Sequence, residues 1–494
     1  MLLLGIDVGT SSIKVAIVDV ATQQCLVSAH YPEQEAPIKS LKTGWAEQSP
    51  NDWWSFTKLA LQKAHASGNY NPTDIKAIGI AYQMHGLVVV NKEQEVLRDS
   101  IIWCDSRAVE FGDQAYQALG ADTCSSCLLN APGNFTASKL AWVKNNEPAL
   151  FEQVAQMMLP GDFIAMKLTG TITTTPSALS EGILWNFKTD ALSAEVMENY
   201  GFKDDLIPEV RSLFSVHGEV LESVARELGL MPGIPVSYKA GDQLNNAVSL
   251  NVFQPGEVAA TAGTSGVIYA VTDKLFSDPH SRVNAFAHVN HSKDSRRLGV
   301  LLCINGTGIM NSWLRNLMGR TLSYPEMNEK AATIAPGSNG LAVLPFGNGV
   351  ERMLRNKLTG AQLLNIDLNI HTPAHVIRAT QEGIAFAFRY GLDIMRENGL
   401  HPKVIRAGKA NMFLSDVFTE SFVNTTGVPV QLFSNDGSVG AALGAGIGAG
   451  IYTSFAEAFT NLKVLKTVEP TNTEVYEGYY QEWKKNLENK LANL

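Results

Sequence analysis

Gly9-Thr10-Ser11-Ser12-Ile13-Lys14-Val15-Ala16-Ile17-Val18-Asp19, near the start of the chain, has a counterpart in Gly263-Thr264-Ser265-Gly266-Val267-Ile268-Tyr269-Ala270-Val271-Thr272-Asp273. Gly, Thr, Ser, Ala and the closing Asp coincide at a constant offset of 254 residues. Each copy lies between two short apolar runs, 2–6 and 13–18 in the first, 258–262 and 267–271 in the second. Apolar run, small-residue turn, apolar run is the pattern of a β-hairpin. A repeat at so long a spacing is a duplicated domain and not a solenoid. It falls near the midpoint of the 494 residues. The simplest organisation is two related halves, 1–246 and 247–494. No low-complexity linker separates them, so they are expected to pack directly with a cleft between them.

Working outward, strands are expected over 74–83, 88–90, 100–103, 233–239, 340–346, 403–406 and 428–433. Helices are expected over 139–144, 148–157, 373–398, 415–425, 438–450 and 474–491, the 438–450 helix being rich in Gly and Ala. Loops are expected at 83–86 and 240–243, with a next element beginning at 246, and a turn at Asn435-Asp436-Gly437. Strands and helices mixed in both halves make the chain α/β.

Composition bounds the function. Hydrophobic residues make up 45% and charged residues 18%, which excludes a mainly disordered chain. Lys plus Arg is 39 and Asp plus Glu 48, a net charge of −9, which argues against a general nucleic-acid coat. Five scattered cysteines make no disulfide framework, and a reduced, cytoplasmic setting fits. Cys124-Ser-Ser-Cys127, half a zinc site without a second pair, is read as two plain thiols. His288 and His291 lack further ligands and are discounted as a metal site. The start carries no basic segment before its short apolar run, so no signal peptide is expected. The stretch 439–452 is too short and too rich in Gly and Ala to span a membrane.

A cleft with a Gly-Thr-Ser hairpin on each wall suggests phosphate binding, because a tight turn of small residues exposes backbone N–H groups and adds hydroxyl donors. Asp7, directly before the first turn, would repel phosphates unless a hard cation such as Mg²⁺ sat between. There is no P-loop run, and the 444–450 glycines lack dinucleotide-binding spacing. At Asp242 two readings are open on the residues alone, a general base within reach of a hydroxyl or a helix cap. Gln83-Met84-His85-Gly86 is a second polar corner. In Trp103-Cys104-Asp105-Ser106-Arg107 the acid and base are as consistent with an ion pair holding a loop as with a substrate contact.

These motifs, in order along essentially the whole chain, resemble the FGGY carbohydrate kinases of the actin-like ATPase superfamily, closest to members acting on D-xylulose. Gly5-Ile6-Asp7-Val8-Gly9-Thr10-Ser11 is similar to the family's first phosphate loop, and Ala262-Gly263-Thr264-Ser265-Gly266 to its second. Trp45-Ala46-Glu47-Gln48 with Trp53-Trp54, Trp103 to Arg107, Phe135 to Val143 and Gly349-Val350-Glu351-Arg352 resemble further family stretches. Asn134 stands where Gly is more usual. Gly241-Asp242-Gln243 is similar to the catalytic Gly-Asp-Asn run, with Gln replacing Asn.

The resemblance implies two actin-like (RNase H-like) domains, an interdomain cleft and hinge closure. It implies transfer of the ATP γ-phosphoryl group to the terminal hydroxyl of an open-chain ketopentose. Ribulose, a deoxy-ketose, gluconate or glycerol are alternative substrates, and a non-kinase actin-like ATPase is the rival outside the class. It assigns Asp242 as the base and Gln83, Met84, His85, Asp242 and Gln243 to the sugar. It assigns Gly9, Thr10, Ser11, Lys14, Gly263, Thr264, Ser265, Gly408 and Lys409 to ATP, and Asp7 to Mg²⁺. At Ala407-Gly408-Lys409-Ala410, Lys and Ala replace two glycines of the family's adenosine turn. The expected partners are a small sugar and ATP, with a homodimer as the candidate assembly, no nucleic acid and no membrane.

Overall fold

The computed structural model describes residues 1–434 and 436–494. Asn435 of the expected 435–437 turn lies outside them. Two mixed sheets carry the molecule. The first is built from β1 (Leu2–Val8), β2 (Ile13–Asp19), β3 (Cys25–Tyr31), β4 (Ile75–Tyr82), β5 (Gly218–Glu219) and β6 (Pro235–Gly241), in the order β5-β6-β4-β1-β2-β3. The second comprises β7 (Val258–Ala262), β8 (Gly266–Thr272), β9 (Asn284–Ala287), β10 (Leu298–Ile304), β11 (Ile405–Gly408), β12 (Val430–Phe433) and β13 (Val464–Val468), in the order β9-β10-β8-β7-β11-β12-β13.

The expected duplication holds at the level of topology. In the first sheet β1–β2 and β2–β3 are antiparallel, and β1–β4 and β4–β6 parallel. In the second, β7–β8 and β8–β10 are antiparallel, and β7–β11 and β11–β12 parallel. Both Gly-Thr-Ser turns thus join the first two strands of equivalent sheets. The turns differ by one residue. Val8 pairs with Ile13 across the first, whereas Ala262 pairs with Gly266 across the second.

Side chains of β1 alternate between two cores, as a period of two requires. Leu2, Leu4, Ile6 and Val8 join an apolar cluster with α1 (Pro50–Ala66) and α3 (Pro160–Thr169), whereas Leu3 joins the cluster that runs on into the second sheet. Two helices interlock the halves. α5 (Asp242–Ser249) leaves β6 and packs against β4, β7 and β8. α9 (Gly437–Gly448) follows β12 in the chain but covers β1, β2, β4 and β6. The remaining helices used below are α2 (Thr136–Asn146), α4 (Pro176–Glu181), α6 (Gly308–Leu317), α7 (Pro373–Glu397), α8 (Asp416–Thr426) and α10 (Thr473–Ala492).

Three local expectations need correction. The helix expected over 148–157 ends at Phe151, and Gln156–Met158 is instead a strand paired with Val88–Val90, because the apolar methionines there face a strand partner. The strand expected over 100–103 is only Ser100–Ile101, paired with Glu47–Gln48. The loop expected at 240–243 does not exist: β6 continues to Gly241 and α5 starts at Asp242, so the turn is a direct strand-to-helix step.

Candidate active site

Asp7 ends β1 but for one residue, and Asp242 opens α5 at the end of β6. The two lie at the carboxyl edge of one sheet with β4 between them, and both are half-buried. Burial, and then the charge of Asp436, raises Asp7 to about 6 against the pull of Lys14. Burial, and then the charge of Asp7, pushes Asp242 up to about 7, against hydrogen bonds from the backbone and side chain of Gln243. Such a carboxyl ionises near neutral pH, where a general base works best.

Asp436 caps α9, accepting from Ser438 N at 3.0 Å and Ser438 Oγ at 2.6 Å, and pairs with Lys14. Burial alone would raise it, but Lys14 and Ser438 bring it below the ordinary carboxylate range. Gly437 brings the α9 N-terminus against Asp7, since a Cβ there would collide with Asp7 Oδ2. Asn245 Nδ2 donates to Gly437 O at 2.8 Å and joins α5 to α9.

The loop after β4 is held from below. His85 takes a left-handed backbone, φ 64°. Its carbonyl accepts from Lys139 Nζ at 2.8 Å and Thr136 Oγ1 at 3.3 Å, both on α2. Lys139 is fully buried and also donates to Ile102 O at 3.0 Å. His85 Nδ1 lies 3.0 Å from Glu181 O. A carbonyl only accepts, so Nδ1 carries the proton. Burial, and then Lys139, lowers His85 to about 3, so the ring is neutral and Nε2 is a lone-pair acceptor. The ring meets Phe135 edge-on at 4.8 Å and Phe286 at 5.6 Å. Glu181, 1% exposed, has no hydrogen-bond partner at Oε1. Burial, and then Asp242, holds its carboxyl well above the usual range despite hydrogen bonds from Tyr82 and the His85 backbone. It lies beneath both corners, against Gly241 and under the His85 ring.

Gln83, expected to touch sugar, commits its buried amide elsewhere. It accepts from Thr10 Oγ1 at 3.2 Å and donates to Gln48 Oε1 at 3.0 Å, bracing the first hairpin. Met84 is buried and packs against Gly241. Gln243 keeps a buried Oε1 without a partner. In the first hairpin Gly9 N donates to Ser12 O at 3.1 Å, Gln48 Nε2 holds Thr10 O at 2.8 Å, and Ser11 O accepts from Ala36 N at 2.7 Å. The exposed indole of Trp103 donates to Thr10 Oγ1 at 3.0 Å. Lys14, expected at the nucleotide, is paired with Asp436.

The second hairpin rests on the start of α6. Gly263 O accepts from Gly308 N at 2.9 Å and Thr264 O from Ile309 N at 3.0 Å, leaving Thr264 and Ser265 exposed. Glu351 in turn holds Asn305 N and Gly306 N, each at 2.9 Å. The Gly408-Lys409 turn lies alongside, and a Cβ on Gly263 would stand 3.5 Å from Asn411 Nδ2. Lys409 N donates to Phe433 O at 2.8 Å and its side chain is exposed.

The 103–107 run is a structural ion pair. Arg107 and Asp105 are buried, 2.7 Å apart, with Glu47 also at 2.7 Å. His288 bonds Tyr269 and Val252 O, and His291 pairs with Asp190. All five cysteines are free thiols. Among the described residues no group of three or more His, Cys, Asp and Glu side chains is placed to hold a metal, and no helix is long and apolar enough to cross a membrane. Reading the sequence missed Glu181 and Asp436, whose relevance comes from partners remote in the chain. Trp103, quoted with its run, had not been singled out.

The pattern of the N-terminal domain of the FGGY family of carbohydrate kinases matches residues 2–249, and that of its C-terminal domain residues 258–451. The chain belongs to the FGGY family of carbohydrate kinases. This FGGY kinase is 30% identical over 413 residues to a xylulose kinase of Haemophilus influenzae, covering 82% of this chain and 81% of that one. Its fold is similar to that of a xyloylose kinase from Brucella ovis, with a TM-score of 0.90 at 24% identity and full coverage of both chains. It is also similar in fold to a gluconate kinase from Lactobacillus acidophilus, with a TM-score of 0.89 at 21% identity, covering 99% of this chain and 98% of that one. The two-domain α/β architecture and sugar-kinase class expected from the motifs are thereby established.

Proposed function

We propose that this sugar kinase transfers the γ-phosphoryl group of ATP to the terminal hydroxyl of D-xylulose, with Asp242 as the base. The observation that carries the reading is Asp242, half-buried and poised near pH 7, with a neutral His85 on the neighbouring loop whose Nδ1 is spent on Glu181 O and whose Nε2 is left to accept. Asp242 takes the proton of the 5-hydroxyl as that oxygen attacks phosphorus in line. His85 Nε2 accepts from a second sugar hydroxyl, and Gln243 Oε1 from a third. The Gly9–Ser11 and Gly263–Ser265 turns line the phosphates, and the Gly408-Lys409 turn faces the nucleoside. Rate then comes from positioning and electrostatics, as in phosphoryl transfer generally. Closing the halves keeps out water, a competing acceptor.

Mg²⁺ fits this site. Asp7 faces the charges of both Asp436 and Asp242, with Lys14 as counter-charge, and one such carboxylate suits a hard cation that keeps most of its waters. Asp7 would hold it, and bound there it would neutralise phosphate charge. Support for the sugar comes from the relatives named xylulose kinase. The test is coupled ADP release with D-xylulose, ribulose, gluconate and glycerol. D-xylulose is expected to give the highest kcat/KM. A higher value for gluconate or glycerol, or ADP release without sugar, would overturn the reading.

A further inference from the structure

The second half of the chain reaches the His85 loop through Phe286, which packs on His85, and Arg352, which packs on Phe135. Cys303 on β10 lies close enough to Asp242 and to Arg352 to feel both charges, and His85 also feels the Arg352 guanidinium. Arg352 Cζ stands 5.6 Å over the Phe135 ring, the ring that His85 meets edge-on. Arg352 and His85 thus flank one ring, Phe135.

Arg352 differs from Arg107, Arg282 and Arg378, each held by a carboxylate. Arg107 pairs with Asp105 and Glu47, Arg282 with Asp278, and Arg378 with Glu382. Arg352 makes one hydrogen bond among the described residues, from Nη1 to Asn284 Oδ1 at 2.8 Å, and no carboxylate among them balances it. An enclosed guanidinium without a counter-charge is costly, and most of its five donors stay available.

We infer that Arg352 is a specificity-determining residue of the sugar site, donating to the carbonyl oxygen of an open-chain ketose while His85 Nε2 accepts from the neighbouring hydroxyl. The inference rests on the ketose-kinase reading above. Arg352 offers donors only and His85 an acceptor only. An α-hydroxyketone presents one acceptor and one donor side by side and satisfies both. A polyol places a hydroxyl where the carbonyl was. That oxygen still accepts from Arg352, but its own proton meets a guanidinium and the Phe135 ring and stays unpaired, which is the costly case.

The experiment compares wild type, Arg352→Met and Arg352→Lys on D-xylulose and on xylitol, the latter as substrate or competitive inhibitor, by coupled ADP release. For Arg352→Met, kcat/KM on D-xylulose is expected to fall roughly 10- to 100-fold while the xylitol constant moves less than about threefold, the signature of one lost charged hydrogen bond. Arg352→Lys is expected to recover part of the loss, and it carries the comparison should the Met variant not fold. Equal losses on both compounds, or none, would overturn the inference. The guanidinium would then serve the fold or the adjoining cavity of about 320 Å³ that it also lines. A wild type inactive on D-xylulose and every other ketose would instead overturn the parent reading, and this inference with it.

Discussion

A carboxylate that accepts a proton near neutral pH must be kept from ionising too easily, and at Asp242 burial and the charge of Asp7 do this. The same environment that raises this carboxyl works against the fold. The carboxyl is raised in the folded state, so between about pH 4 and 7 the folded protein holds a proton that the unfolded chain has lost. Stability therefore falls as pH rises through that window. Asp242→Asn removes the charge and keeps the shape. It is expected to retain ATP binding, to lose at least about 10³-fold in sugar phosphorylation, and to gain about 1–2 kcal/mol of stability at pH 8 once solvent screening is allowed for. Calorimetry and coupled turnover on one preparation check both. Near-normal turnover would remove Asp242 from the base role. In the wild type, with Asp242 as the proposed base, kcat/KM is expected to fall tenfold per pH unit below about 7, as Asp242 becomes protonated. A flat profile down to pH 5 would contradict the raised carboxyl.

Among the elements, α9 does most to assemble the site. It crosses from the second half to lie on the first sheet at backbone contact, which only glycines permit. A Cβ on Gly79 in β4 would meet the Ala441 carbonyl, and one on Gly448 would meet the Ser237 carbonyl. Neither neighbour is a side chain that can swing away. Gly79→Ala is expected to cost about 3 kcal/mol, at the upper end for overpacking, and to lower activity by shifting Gly437 away from Asp7. Thermal unfolding measures it, and a loss under about 0.5 kcal/mol would mean that helix and strand separate easily. The small-residue composition of 438–450 was legible as a helix with a close-packing face. Its partner was not, because the strands it covers lie hundreds of residues earlier in the chain.

In the molecule as a whole, the two halves are clasped next to the His85 loop. Asn130 donates to Ala285 O at 2.6 Å and accepts from Ala285 N at 3.0 Å, acting as a strand partner across the interface. Ala287 N donates to Ser180 Oγ at 2.9 Å, one residue from Glu181. The clasp fixes β9, and with it Phe286, against His85. Asn130→Ala leaves both main-chain groups of Ala285 buried and unpaired, and is expected to cost about 2–4 kcal/mol. It should raise KM for the sugar more than it lowers kcat. An unchanged unfolding temperature would show that water replaces the amide at no cost.

The hairpins, the duplicated halves and the α/β class were readable from the chain alone. Each is written in a few consecutive residues, as an apolar period or a small-residue turn. Tertiary structure alone decided which polar groups remain available. Gln83 turns to Thr10 and Gln48, Lys14 pairs with a residue 422 positions away, and His85 acquires its tautomer from a carbonyl 96 positions on. Hydrogen-bond partners and burial are properties of packing between distant segments, and no local pattern encodes them.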